Sequence, residues 1–332
     1  MSTYETFDIA YMSVLNDIYN HADFFNQPRG FQSREKIAYH FRINQPVQRG
    51  IYNQKRKCNI IFNFAEVLWY LTGNNRLDYI SYYNKKMPDY SMDGRILTGT
   101  AYGSKLFNDK GQQSSQWQNV KDLLIKDPDS KRAVLQIFDG SELAIPNNLD
   151  VSCTLGLQFF IRDNHLDMIA YMRANYAFRG IVSDVFSFTF IQELMARELH
   201  IPVGKYYHSV GTMHIYEPDN LWVTHVLETP NEAQFKFPEM PLENNWDMIQ
   251  ELMAYEEKLR KNDIMMDWQA ILATHMAPYW QQILALFSIY QMIHYNKKID
   301  RTVFDHLLPI YQYFVRNKWP KHVVNLEVDS NE

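Results

Sequence analysis

The chain has 332 residues, 46% of them hydrophobic and 15% aromatic, which supplies a sizeable core and excludes an intrinsically disordered chain. Lysine and arginine total 33 against 38 aspartate and glutamate, a net charge of −5 that argues against non-specific binding to nucleic acid while leaving room for a small anion held by a few arginines. Two cysteines, Cys58 and Cys153, are too few for a disulfide framework or a multi-cysteine zinc site, so a reducing, cytoplasmic setting with no metal is expected.

Met1 to Ala10 carries Glu5 and Asp8 and no basic region before an apolar stretch, so no signal peptide is expected. Ile9, Met12, Leu15 and Tyr19 recur at helical steps and predict an amphipathic helix over Glu5 to Tyr19. Lys36 to Ile43 reads as a strand. Asn59 to Leu71 reads as a buried helix stopped by Gly73, and Gln116 to Lys126 as a shorter one closed by the turn Asp127-Pro-Asp-Ser130. Strands are predicted at Ala133 to Phe138, Ser152 to Ile161 and Leu166 to Arg173. A long buried helix follows over Ser183 to Leu199, with Phe186, Phe190, Leu194 and Met195 on one side, and then a strand over Lys205 to Tyr216.

After Pro241 the pattern turns helical, over Met248 to Arg260, Tyr279 to Tyr295 and Arg301 to Arg316, with Pro309 expected to kink or break the last. The most apolar run, Ile283 to Ile293, is interrupted by Ser288, Tyr290 and Gln291 and is too short and polar to span a bilayer. The expected architecture is an α+β body over residues 1–240 with a helical extension over 241–332 packed on it.

Cys153 lies in Asp150-Val-Ser-Cys-Thr-Leu-Gly-Leu-Gln158. A lone cysteine in an apolar setting is more often an inert core residue. A reactive one needs cations nearby, and Arg173, Arg179, Lys131 and Arg132 are candidates. Taken singly, Glu66 could serve a salt bridge, His214 and Tyr216 an ordinary polar face, Arg132 and Arg173 the solvated surface, and Trp69 and Tyr70 packing.

Jointly these segments say more. Ala65-Glu-Val-Leu-Trp-Tyr-Leu-Thr-Gly73, Thr100-Ala-Tyr-Gly103, Pro128-Asp-Ser-Lys-Arg132, Cys153 with Gln158, Tyr171-Met-Arg173 and Gly211-Thr-Met-His-Ile-Tyr216 occur in that order between about residues 29 and 220. In sequence and spacing they resemble the thymidylate synthase superfamily. The resemblance implies a mixed sheet with packed helices, a homodimer, and 5,10-methylenetetrahydrofolate as one-carbon donor. It makes Cys153 the nucleophile that adds to pyrimidine C6, Glu66 the carboxylate that organises water and moves protons, and Tyr102 a helper in removing the C5 proton. Arg173 would hold the nucleotide phosphate, with Lys131 and Arg132 reaching in from the second subunit. Arg29, or Arg34 in its place, would complete that set. His214 and Tyr216 would contact the sugar, and Gln158 would order the site.

Departures from the family refine the expectation. Asp184 stands where thymidylate synthases have asparagine; a carboxyl can accept from a cytosine 4-amino group and, when protonated, donate to N3. Asp184 and the pair Cys153-Thr154 resemble cytidylate and deoxycytidylate 5-hydroxymethylases. Lys131 in place of arginine and Ala174 in place of serine resemble the CMP 5-hydroxymethylases of nucleoside-antibiotic pathways. CMP is therefore expected over dCMP. Tyr176 falls where the family has a pterin-contacting aspartate, and the terminus Glu327-Val-Asp-Ser-Asn-Glu332 lacks apolar closing residues. A looser lid would favour water over hydride. The competing readings are a dCMP hydroxymethylase, a thymidylate-type methylase with a flavin or other donor, and a non-enzymatic nucleotide- or RNA-binding scaffold. The joint set of Glu66, Cys153, Arg173 and Asp184 argues against the scaffold, which needs no nucleophile. No nucleic-acid or membrane partner is expected.

Overall fold

The computed structural model describes residues 1–108, 114–231 and 233–328, the side chains of Arg29 and 325–328 excepted. In chain order the strands are β1 Ser2–Tyr4, β2 Phe24–Asn26, β3 Ser33–Ile43, β4 Val134–Gln136, β5 Thr154–Arg162, β6 His165–Tyr176 and β7 Val203–Tyr216. The helices of the first half are α1 Phe7–Asn20, α2 Ile60–Leu71, α3 Leu77–Tyr83, α4 Gly103–Leu106 and α5 Gln116–Lys126. They are followed by α6 Gly180–Glu198, α7 Asn220–Glu228, α8 Asn245–Arg260, α9 Trp268–Leu272, α10 Pro278–His294, α11 Arg301–Asp305, α12 Pro309–Lys318 and α13 Pro320–Val328.

The seven strands form one mixed sheet in the order β1-β3-β7-β6-β5-β4, with β2 added to β3. Antiparallel pairing joins β3 to β7, β5 to β6 and β4 to β5, whereas β6 and β7 run parallel. Parallel neighbours need a crossover, and α6 supplies it, packing back on the sheet and carrying Asp184.

Buried α2 is almost wholly apolar. The Asn59 side chain caps it by accepting from the Phe62 N–H, and Gly73, at φ +64, turns the chain away in a conformation costly for any residue with a Cβ. Phe64 of α2 meets Phe186 of α6 edge-on at 5.1 Å, fixing these two helices against each other. One continuous hydrophobic cluster runs from Phe7 to Val323 and includes Trp280 of α10 and Tyr311 of α12. It encloses an ion pair between Arg49 and Glu193 at 2.5 Å, both side chains fully buried.

The α+β class, the single helix over Gln116–Lys126 and the all-helical character beyond residue 240 agree with the sequence reading, among the described residues. Pro309 breaks the last predicted helix, as expected: it becomes the first residue of α12, where its missing N–H costs nothing, and α11 stops at Asp305. Two elements differ. Strand β6 runs on to Tyr176, which puts Ala174 and Tyr176 in the sheet. Helix α6 begins at Gly180, so Asp184 sits one turn inside it. Strands β1 and β2 and the short helices α3, α4, α7, α9 and α13 carry too little periodicity to be read from sequence. Among the described residues no helix is long and apolar enough to cross a membrane.

Candidate active site

Cys153 ends a loop between the short 3₁₀ turn Gly140–Ala144 and β5, and polar contacts hold that loop still. The Asp150 carboxylate, 2% exposed, accepts the backbone N–H groups of Thr98, Gly99 and Thr100, each at 2.8 Å. Only glycine fits at 99, where a Cβ would lie 1.9 Å from the Asp150 carbonyl oxygen. This clamp brings Tyr102 alongside Cys153. On the other side Lys105 pairs with Glu142 and donates to Ser152 Oγ at 2.7 Å, and Glu142 accepts the Ser152 N–H at 2.6 Å.

Arg173 of β6 grips the same loop. Its Nε donates to the Ser152 carbonyl at 2.8 Å and its Nη2 to the Val151 carbonyl at 3.0 Å, with Nη2 also 3.6 Å from the Cys153 sulfur. A guanidinium against a half-buried thiol favours the thiolate, the form that attacks electrophilic carbon. Among the described residues Nη1 has no hydrogen-bond partner, which leaves one donor arm for an anion.

Two carboxyls share the Tyr102 phenol with the thiol as a neighbour. Glu66 of α2 is 9% exposed, and its Oε2 has no hydrogen-bond partner among the described residues. Burial and the nearby Asp184 charge push its pKa up to about 8. Desolvation by the surrounding protein pushes Asp184 up to about 7. Tyr102, 4% exposed, stacks on Tyr70 at 5.1 Å, and burial, reinforced by the charges of Asp184 and Cys153, keeps it a phenol. The arrangement is a half-buried thiol, a cation on it, and two acids able to change protonation near neutrality.

At the end of β7, His214 stacks on Tyr176 with centroids 5.6 Å apart and planes 6° off parallel, and Tyr216 meets His214 edge-on at 4.8 Å. Burial holds the His214 imidazole below its ordinary pKa, with the Arg173 charge adding to that, so it is neutral at pH 7. The Tyr176 hydroxyl donates to Asp219, which is 3% exposed and also pairs with Arg179. A buried carboxylate thus stands beside Tyr176, contributed by the turn Glu217–Asp219.

Glu66, Tyr102, Cys153, Arg173, Asp184 and His214 therefore converge, with Ala174 and Tyr216 on the flanking strands. Lys131 and Arg132 do not join them within this chain. They are exposed on the turn before β4, where Gln158 holds the Lys131 carbonyl at 2.8 Å and accepts from Tyr171 at 3.0 Å. Antiparallel pairing of Val134 with Gln158 places that turn four residues along β5 from Thr154, about 13 Å at the usual rise per residue. Arg34 donates to the Tyr19 carbonyl at 3.0 Å and lies over the Tyr19 ring. The Arg29 side chain and the terminus from 329 onward lie outside the described residues.

A family model described as thymidylate synthase matches residues 9–267. The chain belongs to the thymidylate synthase family. It is 30% identical over 219 residues to a deoxyuridylate hydroxymethyltransferase of Bacillus phage SP01, covering 63% of this chain and 57% of that relative. A deoxyuridylate hydroxymethyltransferase of Delftia phage PhiW-14 is 29% identical over 211 residues, covering 58% and 57%. The chain thus matches a little over half the length of each of these relatives.

In this family member a cleft of about 340 Å³ opens beside Ser183, the neighbour of Asp184. Lys55, Arg56, Lys57 and Lys318 line it together with Phe178 and the exposed Trp222. Burial and the adjacent Arg56 charge lower the Lys318 pKa. Lys318 comes from the end of α12, so the helical extension contributes to the cleft, which no sequence pattern announced. Asp150, Glu142 and Lys105 were equally silent: each acts by where the fold brings it, and only Asp150, three residues from Cys153, stood in a segment already singled out.

The two raised carboxyls have a consequence for stability. Unfolding returns Glu66 and Asp184 to ordinary pKa values near 4.5 and 3.8, so as pH rises the unfolded chain ionises first. Stability from these groups is fullest below the unfolded values and falls through about pH 8. Glu66→Gln is expected to melt higher than the natural chain at pH 8, by about 1–2 °C per kcal/mol relieved for a chain of this length, with little gain at pH 5. Equal melting differences at both pH values, measured by calorimetry, would mean that Glu66 ionises normally in the folded chain.

Proposed function

We propose that this chain transfers a one-carbon unit to C5 of a cytosine nucleotide, CMP in preference to dCMP, with water addition giving 5-hydroxymethyl-CMP. The observation that carries the reading is Asp184, a carboxyl with a pKa near 7 where it can be neutral, set beside Glu66 and Tyr102. A neutral carboxyl offers one acceptor and one donor, matching the cytosine 4-amino group and N3. Lys131 and Ala174 support a ribonucleotide, since a lost guanidinium fork and a lost hydroxyl shift the phosphate and leave space at the sugar.

In this reading the Cys153 thiolate, favoured by Arg173, adds to C6 and makes C5 nucleophilic. Asp184 meets the charge that this addition delocalises onto N3, the remainder lying on C5. Tyr102, held as a phenol, passes the C5 proton on through water rather than acting as a standing base. Glu66, titrating near 8, can give a proton and take one back, which suits it to activating the water that adds last. Elimination of Cys153 restores the aromatic base.

The cationic cleft fits a reduced folate. Its aromatic walls at Phe178 and Trp222 suit a flat ring system and its lysines and arginine a carboxylate tail. Methylenetetrahydrofolate, the donor used across the family, would supply its carbon at the level of formaldehyde. A second copy of the chain belongs to the proposal. Exposed Ile37, Val134 and Leu155 give the sheet an apolar surface, and Lys131 and Arg132 sit at the far end of β5, where they can serve a partner's phosphate site.

A second reading, a uracil nucleotide, is favoured by the names of the phage relatives. A neutral Asp184 can also accept from uracil N3–H and donate to O4. The deciding experiment follows tritium release from C5 of CMP, dCMP, UMP and dUMP, with and without methylenetetrahydrofolate, together with product mass. Donor-dependent release from CMP, with a product carrying one added hydroxymethyl group, is the expected result. Release confined to uracil nucleotides would replace the cytosine reading with the second one.

A further inference from the structure

We propose that two buried carboxylates, Asp150 and Glu142, together with Lys105, are positioning residues that lock the segment bearing Tyr102 to the loop bearing Cys153. The inference rests on the reading of Cys153 and Tyr102 as the groups that work at C6 and C5 of the nucleotide, whichever base it carries.

The links bracket Tyr102 on both sides. Upstream, Asp150 Oδ2 accepts the N–H groups of Thr98 and Gly99, and Oδ1 accepts that of Thr100, two residues before the phenol. Downstream, Lys105 follows Tyr102 by three residues, and its backbone N–H donates to the Tyr102 carbonyl at 2.9 Å. The Lys105 ammonium reaches across to Glu142 and to Ser152. Both arms therefore end just before Cys153, one on Asp150 itself and the other through Ser152.

Ser152 is where the arms meet. It is fully buried, and each of its polar groups is engaged. Its N–H donates to Glu142 at 2.6 Å and its carbonyl accepts from Arg173 at 2.8 Å. Its hydroxyl has one proton, which goes to the Gly99 carbonyl at 2.8 Å, and it accepts from Lys105 at 2.7 Å. The two segments also meet at backbone distance, since a Cβ at Gly99 would lie 2.9 Å from the Ser152 nitrogen. Gly103 brings α4 equally close to α2: a Cβ there would lie 1.9 Å from the Tyr70 carbonyl oxygen. A shift of Ser152 must then disturb Gly99, Lys105 and Arg173 together.

Stability alone does not call for this arrangement. The Lys105 and Glu142 side chains are 11% and 7% exposed, and a buried ion pair gains little over apolar residues of the same volume, because both charges have to leave water. What the pair fixes is a separation. In the proposed reaction the C5–H bond breaks after C6 has taken the thiolate and C5 the one-carbon unit; the electron pair stays on the ring and the proton leaves through Tyr102 and water. That step needs the phenol and the bonded thiol at one set spacing, and a misplacement of about 1 Å costs about 10²-fold in rate.

The test uses the full chain and the methylenetetrahydrofolate-dependent reaction on whichever of CMP, dCMP, UMP and dUMP the natural protein turns over, with hydrogen or deuterium at C5. Lys105→Met and Asp150→Asn are expected to lower kcat about 10²-fold with a much smaller change in KM. The deuterium isotope effect on kcat is expected to rise above that of the natural chain, because proton removal becomes the slow step. A variant that merely leaves fewer folded molecules loses kcat in proportion and keeps the natural isotope effect. If Asp150→Asn does not fold, Lys105→Met carries the comparison. An unchanged isotope effect in a folded Lys105→Met protein, or a kcat within about twofold of the natural one, would overturn the inference, and an inactive Cys153→Ala would leave the reading of the thiol standing. Turnover retained by Cys153→Ala, or no turnover of any of these nucleotides by the natural chain, would remove that reading and this inference with it.

Discussion

Cys153→Ala is expected to lower donor-dependent tritium release from C5 by about 10⁴-fold or more, while CMP still binds with an affinity close to that of the natural chain. The size follows from the chemistry. Pyrimidine C5 is a poor nucleophile until C6 is saturated, and no other side chain in the cluster can take the place of sulfur. Glu66 and Asp184 are acids with pKa values of about 8 and 7, and Tyr102 is held as a phenol. The modest effect on binding follows from the geometry. Arg173 is fixed by the Ser152 and Val151 carbonyls rather than by the thiol, so removing the sulfur leaves its free arm in place. Substantial turnover in a folded Cys153→Ala protein would refute covalent catalysis. Loss of CMP binding together with turnover would mean that the cysteine loop, and not the thiolate, was the missing element.

The legible part of this molecule is the part written in periodicity and in contiguous motifs. Helices α2 and α6 could be read because nearly every residue of each is buried, and Cys153, Glu66 and Asp184 because each stands inside a run with its own pattern. What stayed hidden depends on contacts between residues far apart in sequence. Lys318 enters the cationic cleft only because α12 ends over Arg56 and Lys57. Asp150 matters because it clamps Thr98, Gly99 and Thr100, about fifty residues upstream. Gln158 adds a contact of the same kind: its amide nitrogen holds the carbonyl of Lys131, twenty-seven residues upstream, and its oxygen accepts from Tyr171.

Asp184→Asn is expected to shift the ratio of kcat/KM for CMP to that for UMP by about 10³–10⁴-fold toward uracil. The argument is one of edges. An amide held with its oxygen toward N3 and its nitrogen toward position 4 complements uracil N3–H and O4; in that orientation cytosine places donor against donor and acceptor against acceptor. Each mismatch buries an unsatisfied polar group at a cost of about 1–3 kcal/mol, and two together give a ratio of that size. The variant also removes a group with a pKa near 7 that must be protonated to read cytosine, so the alkaline limb of the pH–rate profile that Asp184 imposes, a fall in rate above about pH 7, should vanish, leaving the limb set by Glu66 near pH 8. Selectivity and pH profile must therefore change together. A variant that loses the limb but keeps its preference for CMP would mean that Asp184 handles a proton and another group reads the base. One that switches base while keeping the limb would mean that the titration near pH 7 belongs elsewhere in the cluster.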